Sequence, residues 1–232
     1  KSTLLRAVVG LAPPVVGLVT TRGRAGFVGQ GAARDLSRDR TVRDVVARGL
    51  LDVGAGDAGA ATRRALQACG LTEAGAIPVG DLDAAERTRV AIARALAADP
   101  VVLVLDDPTG GLDAEGAQEV TDLLRRLHAG GLTLVAASRA VDPVARVAGR
   151  VAFIRGGRLV AGPASEMLVP ERLAALYEAP STAAAEDDDA DDDRLDGPIP
   201  PRDASPEERR AAARARREAA RARLEASRSG RV

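Results

Sequence analysis

The feature that most constrains this chain is Val101-Val102-Leu103-Val104-Leu105, five aliphatic residues in a row that end in two carboxylates, Asp106-Asp107. A run without polar alternation is expected of a strand covered on both faces, the situation of a parallel sheet. A helix is expected from about Ala114 to His128, Gly130-Gly131 stop it, and a second apolar strand runs from Leu132 to Ala137. Strand, helix and strand in this order need a crossover, and a crossover makes the pairing parallel. The fold class is therefore α/β, with a parallel core sheet between helices.

Other elements follow from periodicity. Leu4, Leu5, Val8, Val9 and Leu11 recur at helical spacing until Pro13-Pro14, Gly26 to Val28 forms a short strand, and Thr41 to Leu51 is helical through Val42, Val45, Val46 and Leu50. The section on to about Ile77 is mostly helical, giving a helical subdomain over about 41–98. Val151 to Ile154 and Arg158 to Ala161 flank Gly156-Gly157, which marks an antiparallel hairpin at the margin of the sheet.

Residues 1–180 make the domain by this reading. Beyond Pro180 the character changes: Glu186 to Asp193 carries seven carboxylates in eight positions and prolines follow, so 181–204 is a solvated linker. Ser205-Pro206-Glu207-Glu208 then matches a capping box with proline at the first helical position, and 205–232 reads as an Arg/Ala-rich fraying helix or disordered tail. It could pair with the acidic run, lie near anionic lipid heads, or stay solvated.

Composition excludes several functions. Lys plus Arg and Asp plus Glu are 33 each, so nothing global marks a polyanion binder, and aromatic residues are 1%, which leaves almost nothing for base stacking; no nucleic-acid partner is expected. One cysteine, Cys69, allows no internal disulfide and fits a reducing cytosol; it reads as a small buried hydrophobe. One histidine, His128, leaves little for His-based catalysis and sits where a cation favours a helix end. The longest uncharged stretch, Ala7 to Thr21, is too short to span a bilayer.

Two clusters carry chemistry. Lys1-Ser2-Thr3 opens a helix, as at the end of a phosphate-binding loop where Lys reaches phosphates and a hydroxyl holds magnesium; on its own the tripeptide is no motif and reads first as a solvated chain end. Asp106 ends the buried strand, where ligands approach a parallel sheet, and Asp107 follows. One carboxylate can join a magnesium shell while the other faces an attacking water. The alternative is that Asp106 only caps the following turn.

Together with the text between them, these residues resemble the nucleotide-binding subunit of ABC transporters over about Lys1 to Pro163. Lys1-Ser2-Thr3-Leu4-Leu5-Arg6 is similar to the end of Walker A and Phe27-Val28-Gly29-Gln30 to the Q-loop. Leu82-Asp83-Ala84-Ala85-Glu86 stands at the signature, and Arg89 to Leu96 continues as its helix. Leu105-Asp106-Asp107-Pro108-Thr109 with Gly111-Leu112-Asp113 is similar to Walker B and the D-loop. The resemblance implies the P-loop NTPase fold of ABC ATPases, with ATP and magnesium as ligands. Lys1, Ser2, Thr3, Gln30 and Asp106 would bind the nucleotide, and Ser2, Asp106 and Gln30 would hold the magnesium. Asp107 and Gln30 would act in hydrolysis, and Asp113 would reach across a dimer. It also implies a second nucleotide-binding domain and transmembrane permease subunits as partners, at the inner face of the cell membrane. The family's first strands and glycine loop precede the lysine, so about forty residues are expected before Lys1. The Walker A to Q-loop stretch and Arg172-Leu173-Ala174-Ala175-Leu176-Tyr177 look somewhat like metal and metal-chelate importer subunits.

Three positions depart from the family pattern. Leu-Ser-Gly-Gly of the signature is Leu82-Asp83-Ala84-Ala85 here, which sets an anion where the family has a hydroxyl. Asp107 replaces the general-base glutamate and is one methylene short. Ser138-Arg139-Ala140 stands at the histidine switch, and Arg139 can bind phosphate through its fork but accepts no proton; it could equally be a surface cation. Slow or partner-dependent ATP hydrolysis is expected of a transporter subunit, with a non-hydrolysing partner that regulates or braces such a complex as the alternative.

Overall fold

A computed structural model of the chain describes residues 1–14, 16–51, 57–138 and 143–173. The described residues of 1–13 and 19–173 belong to one compact unit; of the other unit, Pro14 and 16–18 are among the described residues. The elements are α1 (Ser2–Val8), β1 (Ala25–Val28), α2 (Val42–Ala47), α3 (Ala58–Ala68), α4 (Ala84–Leu96), β2 (Val102–Asp106), α5 (Ala114–Ala129), β3 (Thr133–Ala137), α6 (Pro143–Val147), β4 (Arg150–Arg155), β5 (Arg158–Pro163) and α7 (Ala164–Met167). Short 3-10 turns at Arg48–Leu50, Glu73–Ala76 and Val79–Asp81 join the helices before α4. The linker and tail expected over 181–232, Arg139, and Ala174 to Tyr177 lie outside the described residues.

The three strands β1, β2 and β3 form a parallel sheet in that order, with Phe27 opposite Val104 and Val104 opposite Val135. The centre strand fulfils the expectation of an uninterrupted apolar run: Leu103, Val104 and Leu105 have no exposed surface. The outer strand corrects it. Leu134 packs against the core, but Val135, which the pleat turns to the other face, is 37% exposed, and Thr133 and Ala136 are exposed too. A sheet sandwiched between helices is thus realised at β2 and not at β3, which pairs on one side alone among the described residues.

Beside the sheet, α2, α3 and α4 bury Val42, Val45, Val46, Leu66, Val90 and Ile92 in one cluster that continues into Leu103, Leu105, Val120 and Leu123. The tightest approach is at Gly49. A Cβ there would stand 1.9 Å from the carbonyl oxygen of Arg94, so only a residue without a side chain lets the turn after α2 lie on the end of α4.

The hairpin forms where expected, each strand two residues longer than the pattern suggested. Arg155 pairs with Arg158 around Gly156 (φ +53) and Gly157 (φ +74), two positive values that a type I′ turn requires and glycine supplies. It is not a margin of the main sheet, however: β4 and β5 make their own two-stranded sheet. Each main-sheet strand pairs with parallel neighbours only, and β4 and β5 pair antiparallel with each other. No helix among the described residues is long and apolar enough to cross a membrane.

Candidate functional site

Parallel pairing in register brings the carboxyl ends of the three strands level, since Val28 lies opposite Leu105 and Asp106 opposite Ala137. Gln30 follows β1 in an exposed turn, Asp106 ends β2 with Asp107 directly after it, and Ser138 follows β3. Asp106 is buried, at 7% exposure. Ligands of open parallel sheets collect at this edge.

Lys1 is brought to the same edge. Its ammonium Nζ donates to the carbonyl oxygen of Ser138 at 2.8 Å, and the Asp107 amide donates to the carbonyl oxygen of Ala137, also at 2.8 Å. The lysine and the aspartate pair therefore meet on successive carbonyls at one strand end, although more than a hundred residues separate them in sequence. Ser2 and Thr3 begin α1 directly behind Lys1, and Leu5 anchors that helix in the interior. The first turn of α1 holds no acidic residue and no side chain caps it, whereas α2, α3, α4 and α5 are capped by Thr41, Asp57, Asp83 and Asp113.

Asp107 itself leaves the strand with φ +53, a left-handed conformation that aspartate tolerates better than most side chains. Its carbonyl accepts from the Gly110 amide at 3.0 Å, closing a turn over Pro108 and Thr109. The carboxylate folds back over that turn: a Cβ on Gly110 would lie 2.4 Å from Oδ2 and 2.7 Å from Cγ.

The residues at the signature and D-loop positions gather at the starts of two neighbouring helices. Asp83 caps α4: its carboxylate accepts the Glu86 amide at 2.7 Å while Glu86 Oε2 accepts the Asp83 amide at 3.0 Å. Leu82 is buried, its carbonyl accepting from the Arg87 guanidinium. Asp113 caps α5 by accepting the Gly116 amide at 2.8 Å, so within this chain its carboxylate is engaged locally. A Cβ on Gly116 would come 3.1 Å from the Ala85 methyl, which sets the two helix starts side by side; Ala84 is exposed next to them.

Sequence reasoning took Asp83 as an altered signature residue and missed the cap it makes, though Asp-x-x-Glu ahead of an apolar run is the written sign of one. His128 is set where a helix end favours a cation, its Nδ1 3.0 Å from the carbonyl oxygen of Leu132. Cys69 is fully buried. Nearby Arg89 lies 3.8 Å from both Glu86 and Glu119, with its Nε buried and without a hydrogen-bond partner.

A parallel sheet with helices, Lys-Ser-Thr at the start of one helix and aspartates at the end of the adjoining strand, is an α/β fold of the P-loop NTPase kind. A family model described as ABC transporter matches residues 1–110. The cobalt import ATP-binding protein CbiO of Rhodobacter capsulatus is 38% identical over 157 residues, 67% of this chain and 56% of that protein. The energy-coupling factor transporter ATP-binding protein EcfA2 of Streptococcus pneumoniae is 34% identical over 183 residues, 70% of this chain and 65% of that protein. Among solved structures, an inward-facing putative metal-chelate type ABC transporter aligns with a TM-score of 0.68 at 26% identity, covering 77% of this chain and 73% of that one. CbiO1 of Clostridium perfringens, part of the transporter complex CbiONQ, aligns at 0.66 and 25% identity, covering 76% and 79%. Over these residues the chain is similar to the ATP-binding proteins of ABC transporters. It spans less than two thirds of the length of these curated relatives.

Proposed function

We propose that the chain is the ATP-binding subunit of an ABC transporter, coupling ATP binding and hydrolysis to a membrane permease from the cytoplasmic face, in partnership with a second nucleotide-binding domain. The observation that carries this is the meeting of Lys1 and the Asp106-Asp107 pair at one strand end, through the carbonyls of Ser138 and Ala137. A cation, two hydroxyls, an uncapped helix start and a buried carboxylate form the donor set that a magnesium-bound triphosphate needs. Magnesium takes one or two carboxylates and leaves the rest of its shell to phosphates and water, so one buried aspartate suffices.

In this reading Lys1 neutralises phosphate charge, and the amides of the α1 first turn add the partial positive charge of a helix start. Ser2, Asp106 and Gln30 would hold the magnesium, with Thr3 beside them on the nucleotide. The ion, when bound, supplies charge neutralisation on the phosphate oxygens. Asp107 orients the attacking water as a general base, and Arg139 offers its fork to phosphate without taking a proton. Leu82, Asp83, Ala84, Ala85 and Glu86 would face the partner's nucleotide, as Asp113 would face the partner domain.

A second reading, a nucleotide-binding partner that does not hydrolyse, is favoured by the start of α4. There Asp83 and Glu86 occupy each other's amides and set two carboxylates where a partner's phosphate would have to come. Magnesium-dependent ATP turnover by the purified full-length protein, alone and with its partner domain, separates the two. Slow turnover that is lost in Lys1→Ala supports the first reading, and binding without turnover supports the second. A rate equal to that of an intact transporter ATPase would contradict the slow, altered site, and no nucleotide binding at all would contradict both.

A further inference from the structure

Gly110 and Gly111 form a two-glycine turn directly after Asp107-Pro108-Thr109, and each glycine is overlain by a charged side chain. The Asp107 carboxylate occupies the space where a Gly110 side chain would begin, with Oδ2 2.4 Å from that point. The Arg34 guanidinium, from the loop that follows β1, lies 3.0 Å from the corresponding point on Gly111, whose φ is +78. An acid and a base thus overlie adjacent residues of one turn. The amide of Asp107 is held by Ala137 and its carbonyl by Gly110, so the main chain around the carboxylate is fixed at both ends. What remains adjustable is the side chain, and its present position exists only because residue 110 has no Cβ.

We propose that Gly110 is a positioning residue for Asp107: it lets the carboxylate fold back over its own turn, beside Arg34, and so holds it off the reacting phosphate. The effect on rate rests on the hydrolytic reading of the site, while the placement of the carboxylate does not. Any side chain at 110 evicts the carboxylate. Loss of the Arg34 charge changes the field over the same turn without adding atoms to it. A displacement of about 1 Å in a reacting group can change rate by as much as about a hundredfold, so the parked position is sufficient reason for slow turnover.

The test uses Gly110→Ala and Arg34→Ala in the full chain with its partner domain, and magnesium ATP as substrate. Gly110→Ala is expected to raise kcat about threefold or more with KM unchanged within about twofold, and Arg34→Ala to move kcat the same way. Unchanged or lower kcat in both variants, or a change confined to KM, would overturn the parked-base proposal. The placement is tested separately by a thermal-unfolding cycle with Asp107→Gly. Gly110→Ala should lower the midpoint with Asp107 present and spare it with Asp107→Gly, whereas equal shifts in the two backgrounds overturn the placement. Coupling in that cycle with no turnover in any variant would uphold the placement and defeat the hydrolytic reading instead.

Discussion

Single residues decide how closely the pieces of this domain approach. Gly49 is the sharpest case, because the atom a larger residue would strike is a main-chain oxygen of α4 that cannot rotate away. Gly49→Ala is expected to destabilise the domain by about 1–3 kcal/mol, read as a lower midpoint in urea with an unchanged slope. Cys69 shows the opposite behaviour, a reactive group made inert by its surroundings. Burial pushes its thiol up from 9.0 to about 12, with Arg89 and then Arg126 pulling weakly the other way. Below pH 9 both the folded and the unfolded chain keep this proton, so the residue adds no pH dependence there. Between 9 and about 12 the unfolded chain loses a proton that the folded chain retains, and stability falls over that window. Iodoacetamide at pH 8 should therefore leave Cys69 unlabelled in the native protein and label it fully in denaturant. The burial of Cys69 was legible from its residue type and was borne out; the close contact at Gly49 was not. A glycine inside a helical pattern announces only that something comes near, and the depth of a cysteine depends on which helices close over it.

At the level of elements, the start of α4 is the informative feature. Its reciprocal cap satisfies two amides that a helix otherwise leaves open, and it does so with two acids. Asp83→Ser keeps an oxygen for the Glu86 amide and removes one charge. It should hold stability within about 1 kcal/mol of the parent while strengthening nucleotide-dependent association with the partner domain. Analytical ultracentrifugation with and without magnesium ATP checks this, and unchanged association would show that the acid at 83 is not what opposes closure. The cap could have been read from Asp83-x-x-Glu86, since spacing of three is all that a capping box needs. Asp107 could not: the residue type is visible, but φ +53 and the turn to Gly110 are products of where β3 places the Ala137 carbonyl.

For the molecule as a whole, the central βαβ unit was legible because its signals are local and strong: an aliphatic run, a helical stretch, two glycines and a second run. Convergence of Lys1 with Asp106 and Asp107 followed from topology, since parallel strands bring their carboxyl ends to one edge wherever they lie in sequence. What stayed hidden was the environment of β3. Leu132 to Ala137 has the same composition whether helices cover both faces or one, so its exposure is set by neighbours and not by its own residues. The hairpin misled for a related reason: Gly156-Gly157 specifies the turn, yet nothing in it says which sheet the strands will join. The outer side of β3 therefore matters beyond topology. A row of main-chain donors and acceptors without a strand beside it among the described residues, carrying an exposed valine, is a template on which another extended polypeptide can zip. Unless something lies along that flank, copies of this domain made at high concentration will find it in one another, and clumping will compete with their folding.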